Sequence, residues 1–130
     1  MADVNRGTRP LSPFMLGQHY RLQMNSAMSL LHRLTGIALV LAAILVVWWF
    51  LAAGSTPEHF ARVDGLLTSW FGGLFLILSL AAFWYHVFNG IRHLVWDTGR
   101  WFSIEMILKS GYGVLIAAGV MTVITLVAAF

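Results

Sequence analysis

Polar and ionisable side chains are scarce in the apolar stretches of this chain, and those few are where chemistry could be done. His86 stands in Trp84-Tyr85-His86-Val87-Phe88-Asn89-Gly90-Ile91-Arg92-His93, shortly before a basic pair that reads as the edge of a membrane span. At about 1.5 Å per helical residue, that places it roughly 10 Å inside the hydrocarbon. A neutral imidazole there still has one donor and one acceptor to satisfy. A haem iron would take the acceptor nitrogen and leave the other N–H for a backbone carbonyl. The alternative is a histidine hydrogen-bonded to a Ser or Thr of a neighbouring helix. His86, Asn89, Gly90 and His93 recur at i, i+3, i+4 and i+7, which is one helix face. Gly90 removes a side chain one turn from the imidazole, where a flat porphyrin or another helix could approach.

A second constellation is Ser29-Leu30-Leu31-His32-Arg33-Leu34-Thr35-Gly36. Ser29, His32 and Arg33 share a face at the entrance to the first span, where an arginine can reach water at little cost. Ser29 is either a helix-start hydroxyl or a quinone hydrogen-bond donor. Arg33 is either a topology anchor, a quinone hydrogen-bond donor beside Ser29 or, with His32, a partner for haem propionates. His32 and His93 are both expected at the membrane edge. A depth mismatch near 10 Å from His86 makes His32 a poor second axial ligand, so a sixth ligand is expected from another subunit.

The elements that must position these groups are set by hydropathy. Of 130 residues, 59% are hydrophobic and 10% charged, against about 25% charged in a soluble domain. Three runs carry no Asp, Glu, Lys or Arg: 24 residues between Arg33 and Glu58, 27 between Asp64 and Arg92, and 21 after Lys109. Each exceeds the roughly 20 residues that cross the hydrocarbon as a helix. The expectation is an all-α membrane protein with three transmembrane helices at about 30–53, 66–92 and 109–129. A polar N-terminal segment, 1–28, would precede a three-helix transmembrane unit, 29–130. Gly54-Ser55-Thr56-Pro57 should end the first helix. Ala38 and Ala42, or Gly113 and Ala117, are spaced for close helix contact.

Seven of the eight Lys/Arg residues (Arg6, Arg9, Arg21, Arg33, Arg92, Arg100 and Lys109) fall before the first span or around the connection between spans two and three. By the positive-inside rule the N-terminus is cytoplasmic, 54–65 periplasmic, 94–108 cytoplasmic and the C-terminus periplasmic. Trp48, Trp49 and Trp70 then lie near the outer boundary and Trp96 and Trp101 near the inner one. The first apolar run lies too far from the start, and is too long, for a cleavable signal, and Met1-Ala2-Asp3-Val4 does not read as a transit peptide. A bacterial inner membrane is the expected location. With no cysteine, the chain cannot hold an iron–sulfur cluster by thiolate, attach haem covalently or form a disulfide. A formal charge of only +3, placed beside the spans, gives no reason to expect nucleic acid. No acidic residue lies within the three runs, which argues against a proton- or cation-coupled carrier.

Arg9-Pro10-Leu11-Ser12-Pro13, then Ser29-x-x-His32-Arg33-x-Thr35-Gly36, then His86-x-x-x-Gly90-Ile91-Arg92-His93-Leu94-x-x-Asp97 resemble the cytochrome b556 subunits of succinate dehydrogenase, in the same order and with the same loop lengths. The resemblance runs from the Arg-Pro motif to the third span. It implies that His86 is the axial ligand to the iron of haem b, that His32 and Arg33 lie near the haem propionates, and that Ser29 and Arg33 line the ubiquinone site. It also implies a second small membrane anchor donating the other axial histidine, with an iron–sulfur subunit and a flavoprotein subunit on the cytoplasmic side. Such a chain is a non-catalytic part of an electron-transfer enzyme. Phe14 departs from the Ser-Pro-His that often stands in the early motif, which bears only on subunit contacts. The same architecture could serve a quinol:fumarate reductase or, more distantly, a stand-alone membrane b-type cytochrome.

Overall fold

The structure is a computed structural model that describes residues 22–129; the Arg9-Pro10-Leu11-Ser12-Pro13 motif, Phe14, Arg6 and Arg21 lie outside them. Four helices follow one another: α1 Met24–Ala53, α2 Pro57–Leu67, α3 Trp70–Asp97 and α4 Ile104–Ala129. Three of them, α1, α3 and α4, are long and apolar enough to cross a membrane. At 30, 28 and 26 residues, each is about 39–45 Å long, more than the roughly 30 Å of hydrocarbon.

Helix breakers and caps set the ends. Gly54 caps α1, as the Gly-Ser-Thr-Pro run requires. Thr56 accepts a hydrogen bond from the His59 N–H, with Pro57 at the first helical position and Glu58 in the first turn, so α2 starts at once. Residues 54–65, expected between the first two spans, are therefore mostly helix. Ser69 accepts from the Gly72 N–H and starts α3 four residues after the expected boundary. A Cβ on Gly72 would collide with the carbonyl oxygens of Leu66 and Leu67, so only glycine lets α3 fold back over the last turn of α2. Gly99 and Trp101, at φ 78° and 65°, turn the chain from α3 into α4.

Two small cores hold the bundle. Near one end Met28, Tyr85, Val114 and Ala118 are buried together, flanked by Met24, Trp84 and Phe88. At the other, Ala52, Val63 and Leu67 pack with Leu45, Trp49 and Phe60. The early part of α1 thus meets the late part of α3, and the end of α1 meets α2 near the start of α3, so α1 and α3 are antiparallel. Gly111 lets α4 approach α1: a Cβ there would come within 2.8 Å of Met24 Cε and 3.0 Å of Met28 Sδ. Of the small residues spaced for helix contact, Ala42 is buried, whereas Gly113 faces open space. Outward faces are apolar, with Ile37, Val40, Ile44, Leu78, Ile116 and Val123 all exposed, which suits acyl chains.

Candidate functional site

The site lies where the first half of α1 crosses the second half of α3. The His86 and His32 rings stack face to face, with centroids 3.8 Å apart and planes 12° from parallel. His93 lies 5.4 Å from His32, and Tyr85 meets His32 edge-on at 6.4 Å. Gly36 makes the crossing close enough, because a Cβ at that position would stand 3.1 Å from His86 Cε1. The His86 Nδ1 atom is 3.3 Å from the Thr35 hydroxyl. The imidazole is therefore bonded to a threonine of a neighbouring helix, and not through Nδ1 to a backbone carbonyl.

This geometry corrects the expected depth mismatch between the two histidines. Charge placed the start of the first span near residue 30, but α1 begins at Met24, because Asn25, Ser26 and Ser29 are polar without being helix breakers. His32 is consequently two turns inside the helix, level with His86. It still does not oppose His86 across a flat macrocycle, since two ligands to one iron meet tip to tip, and these rings meet face to face.

The residues expected on one α3 face divide into two adjacent stripes. Tyr85, Asn89 and Arg92 are the buried positions of α3, while His86, Gly90 and His93 form the next stripe and are half-buried. Among the described residues nothing lies within 4 Å of a Cβ built on Gly90, so no described helix packs against that glycine. On α1, Ser29 is half-buried and Arg33 exposed. Arg33 makes no hydrogen bond or ion pair among the described residues and takes no part in the histidine cluster.

Arg92, read from sequence as a boundary marker, is only 3% exposed. Its Nε donates to Ser110 Oγ at 2.9 Å, and its Nη2 to Ile107 O at 2.9 Å and to Asn25 Oδ1 at 3.1 Å. Nη1 reaches Asn89 Oδ1 at 3.4 Å, and the guanidinium lies 4.1 Å over the Trp96 ring. One cation thus ties α1, α3 and α4 together through neutral acceptors. Beside it the Tyr85 hydroxyl donates to the Met28 carbonyl at 2.7 Å.

A family model described as the succinate dehydrogenase/fumarate reductase transmembrane subunit matches residues 5–126. The chain belongs to this family. It is 43% identical over 130 residues to the succinate dehydrogenase cytochrome b556 subunit of Paracoccus denitrificans, covering 100% of this chain and 98% of that one. The subunit of the same name from Rickettsia bellii is 35% identical over 116 residues, covering 89% of each chain. The succinate dehydrogenase cytochrome b560 subunit of Reclinomonas americana is 35% identical over 121 residues, covering 89% of this chain and 83% of that one.

In this transmembrane subunit the sequence reading overlooked three things. Thr35 was a letter in a motif, although its spacing from His32 put it on nearly the same face. Arg92 reads from sequence only as the edge of a span, and its being three residues from Asn89 was the available signal of its burial. The amphipathic α2 was hidden by its charges, although Thr56-Pro57-Glu58 is a helix-start signature.

Proposed function

We propose that the chain is the haem-b-binding membrane anchor of a succinate:ubiquinone oxidoreductase in a bacterial inner membrane, with its N-terminus cytoplasmic and its C-terminus periplasmic. The observation that carries this reading is the state of His86. Its Nδ1 is engaged within the bundle, its other ring nitrogen makes no hydrogen bond among the described residues, and the adjacent Gly90 faces open space. Those features fit a histidine that would hold the iron of haem b. Haem b there would supply one-electron redox chemistry; the protein supplies ligation, orientation and charge.

The chain's own residues would act as follows. His86 would ligate the iron through Nε2. The face-to-face stack keeps His32 from being a second ligand, so a second histidine would come from another small anchor subunit. Arg33, unpaired and exposed, offers a cation to propionate or quinone oxygen at the membrane edge. The His32 Nδ1 is enclosed and unbonded, so any propionate contact falls to its Nε2. Ser29, one turn before Arg33, offers a hydroxyl to a ubiquinone carbonyl. Succinate oxidation and the iron–sulfur relay belong to a flavoprotein and an iron–sulfur subunit, since this chain has no cysteine.

The first test is the reduced absorption spectrum of the purified complex, in which His86→Ala is expected to abolish the b-type bands while wild type shows them. Persistent bands would remove the ligand assignment. Ser29→Ala or Arg33→Ala should lower quinone reduction and spare succinate-to-dye activity; a joint fall would instead indicate an assembly fault. The family description covers fumarate reductase as well, so a quinol:fumarate reductase is the second reading. The potential of the quinone that copurifies separates the two.

A further inference from the structure

We propose that Thr35 is a positioning residue that fixes the tautomer of His86 and raises the donor strength of its Nε2. This deepens the reading of His86 as haem ligand and rests on it. The Thr35 hydroxyl has one proton and lies 2.8 Å from the Leu31 carbonyl, 3.0 Å from the His32 carbonyl and 3.3 Å from His86 Nδ1. Carbonyls only accept, and the two carbonyl contacts are the shorter, so the proton is directed along α1 into the helix backbone. What Thr35 turns toward His86 is then a lone pair, and Nδ1 must carry the ring proton. The Nε2 lone pair is left for a metal. Such a hydrogen bond on the distal ring nitrogen orients the ligand and increases its basicity.

The ring is held as well as polarised. One face lies on His32 at 3.8 Å. Its Cε1 edge abuts Gly36, where a Cβ would stand 3.1 Å away. Consecutive residues of α1, Thr35 and Gly36, thus supply the hydrogen-bond acceptor and the space. A more basic axial nitrogen favours ferric over ferrous haem, so removing the acceptor raises the midpoint potential.

The experiment uses the whole purified complex with Thr35→Val, which keeps the shape and removes the acceptor, and Thr35→Ser, which restores it. Thr35→Val is expected to keep its b-type bands and to show a tenfold relative loss of ferric preference, about 59 mV upward in potential. Thr35→Ser should return to the wild-type potential. A Thr35→Val potential equal to wild type, with bands intact, overturns the proposal and leaves the His86 assignment standing. Bands that survive in His86→Ala overturn both. Should Thr35→Val fail to assemble, redox-difference infrared spectra of wild-type complex labelled with 15N-histidine decide the matter. A hydrogen-bonded, Nδ1-protonated axial imidazole is expected; one without that bond overturns the proposal.

Discussion

The two ends of the bundle are built on different principles. At the α2 end the chain completes itself. Ala52, Val63 and Leu67 form an apolar core, the Trp49 indole donates to Asp64 at 3.0 Å, and Thr56 and Ser69 cap successive helices. At the histidine end the packing is polar and unfinished. The buried side-chain atoms that lack a hydrogen bond among the described residues, His32 Nδ1, Asn89 Nδ2 and Trp96 Nε1, all belong to this end. Arg92 is buried there with no carboxylate, since the ion pair among the described residues joins exposed Lys109 and Glu105. Buried polar groups are costly unless they are satisfied. A chain that keeps them at one end only has that end arranged around something besides itself.

The largest expected effect breaks the polar end. Arg92→Met removes a guanidinium that serves Asn25, Asn89, Ser110 and the Ile107 carbonyl and leaves those acceptors facing one another. A loss of about 3 kcal/mol is expected, since hydrogen bonds to charged groups contribute about 1.5–3 kcal/mol each in water and less within membranes. Thermal denaturation of the detergent-purified complex measures it. A Tm within a degree of wild type would mean that Arg92 is not the tie between helices. At the α2 end the counterpart is Gly72→Ala. The new methyl meets backbone oxygen of Leu66 and Leu67, which cannot move as a side chain would, so α3 must shift. About 2 kcal/mol is expected, and on the proposed haem-binding reading the b-type spectrum should stay unchanged because the histidines are far along α3. A changed spectrum would show that the two ends are mechanically coupled.

The difference between the ends also explains what was legible in the sequence. The three spanning helices were readable because hydrocarbon tolerates so few charges that 24 uncharged residues after Arg33 can hardly mean anything else. The place of His86 within the second spanning helix was readable for the same reason. Helix starts were not, because charge marks where lipid stops and caps mark where a helix begins; α1 begins six residues before the expected 30. That offset alone produced the wrong depth for His32. Arg92 could not be placed because its burial depends on α4 closing over it, a tertiary fact. The short α2 carries Glu58, His59, Arg62 and Asp64, so its period was masked, although Phe60, Val63 and Leu67 lie on one face.

The smallest effects sharpen the comparison by removing one matched interaction from each end. Tyr85→Phe deletes the hydroxyl that donates to Met28 O, at a residue 5% exposed. The Met28 carbonyl lies within α1 and retains its helical partner, so only the net worth of one buried hydrogen bond is lost, about 1 kcal/mol. Trp49→Phe removes the indole donor to Asp64, but that carboxylate is half-buried and water can replace the donor. About 0.5 kcal/mol is expected there. The two Tm shifts should therefore rank Tyr85→Phe above Trp49→Phe. Because Tyr85 also meets the His32 ring edge-on, its removal should loosen the stack on His86 and broaden the reduced haem band, whereas Trp49→Phe leaves it sharp. Equal spectra with unequal Tm would confine Tyr85 to packing, and on the proposed reading His32 and Thr35 would remain as the contacts that hold His86.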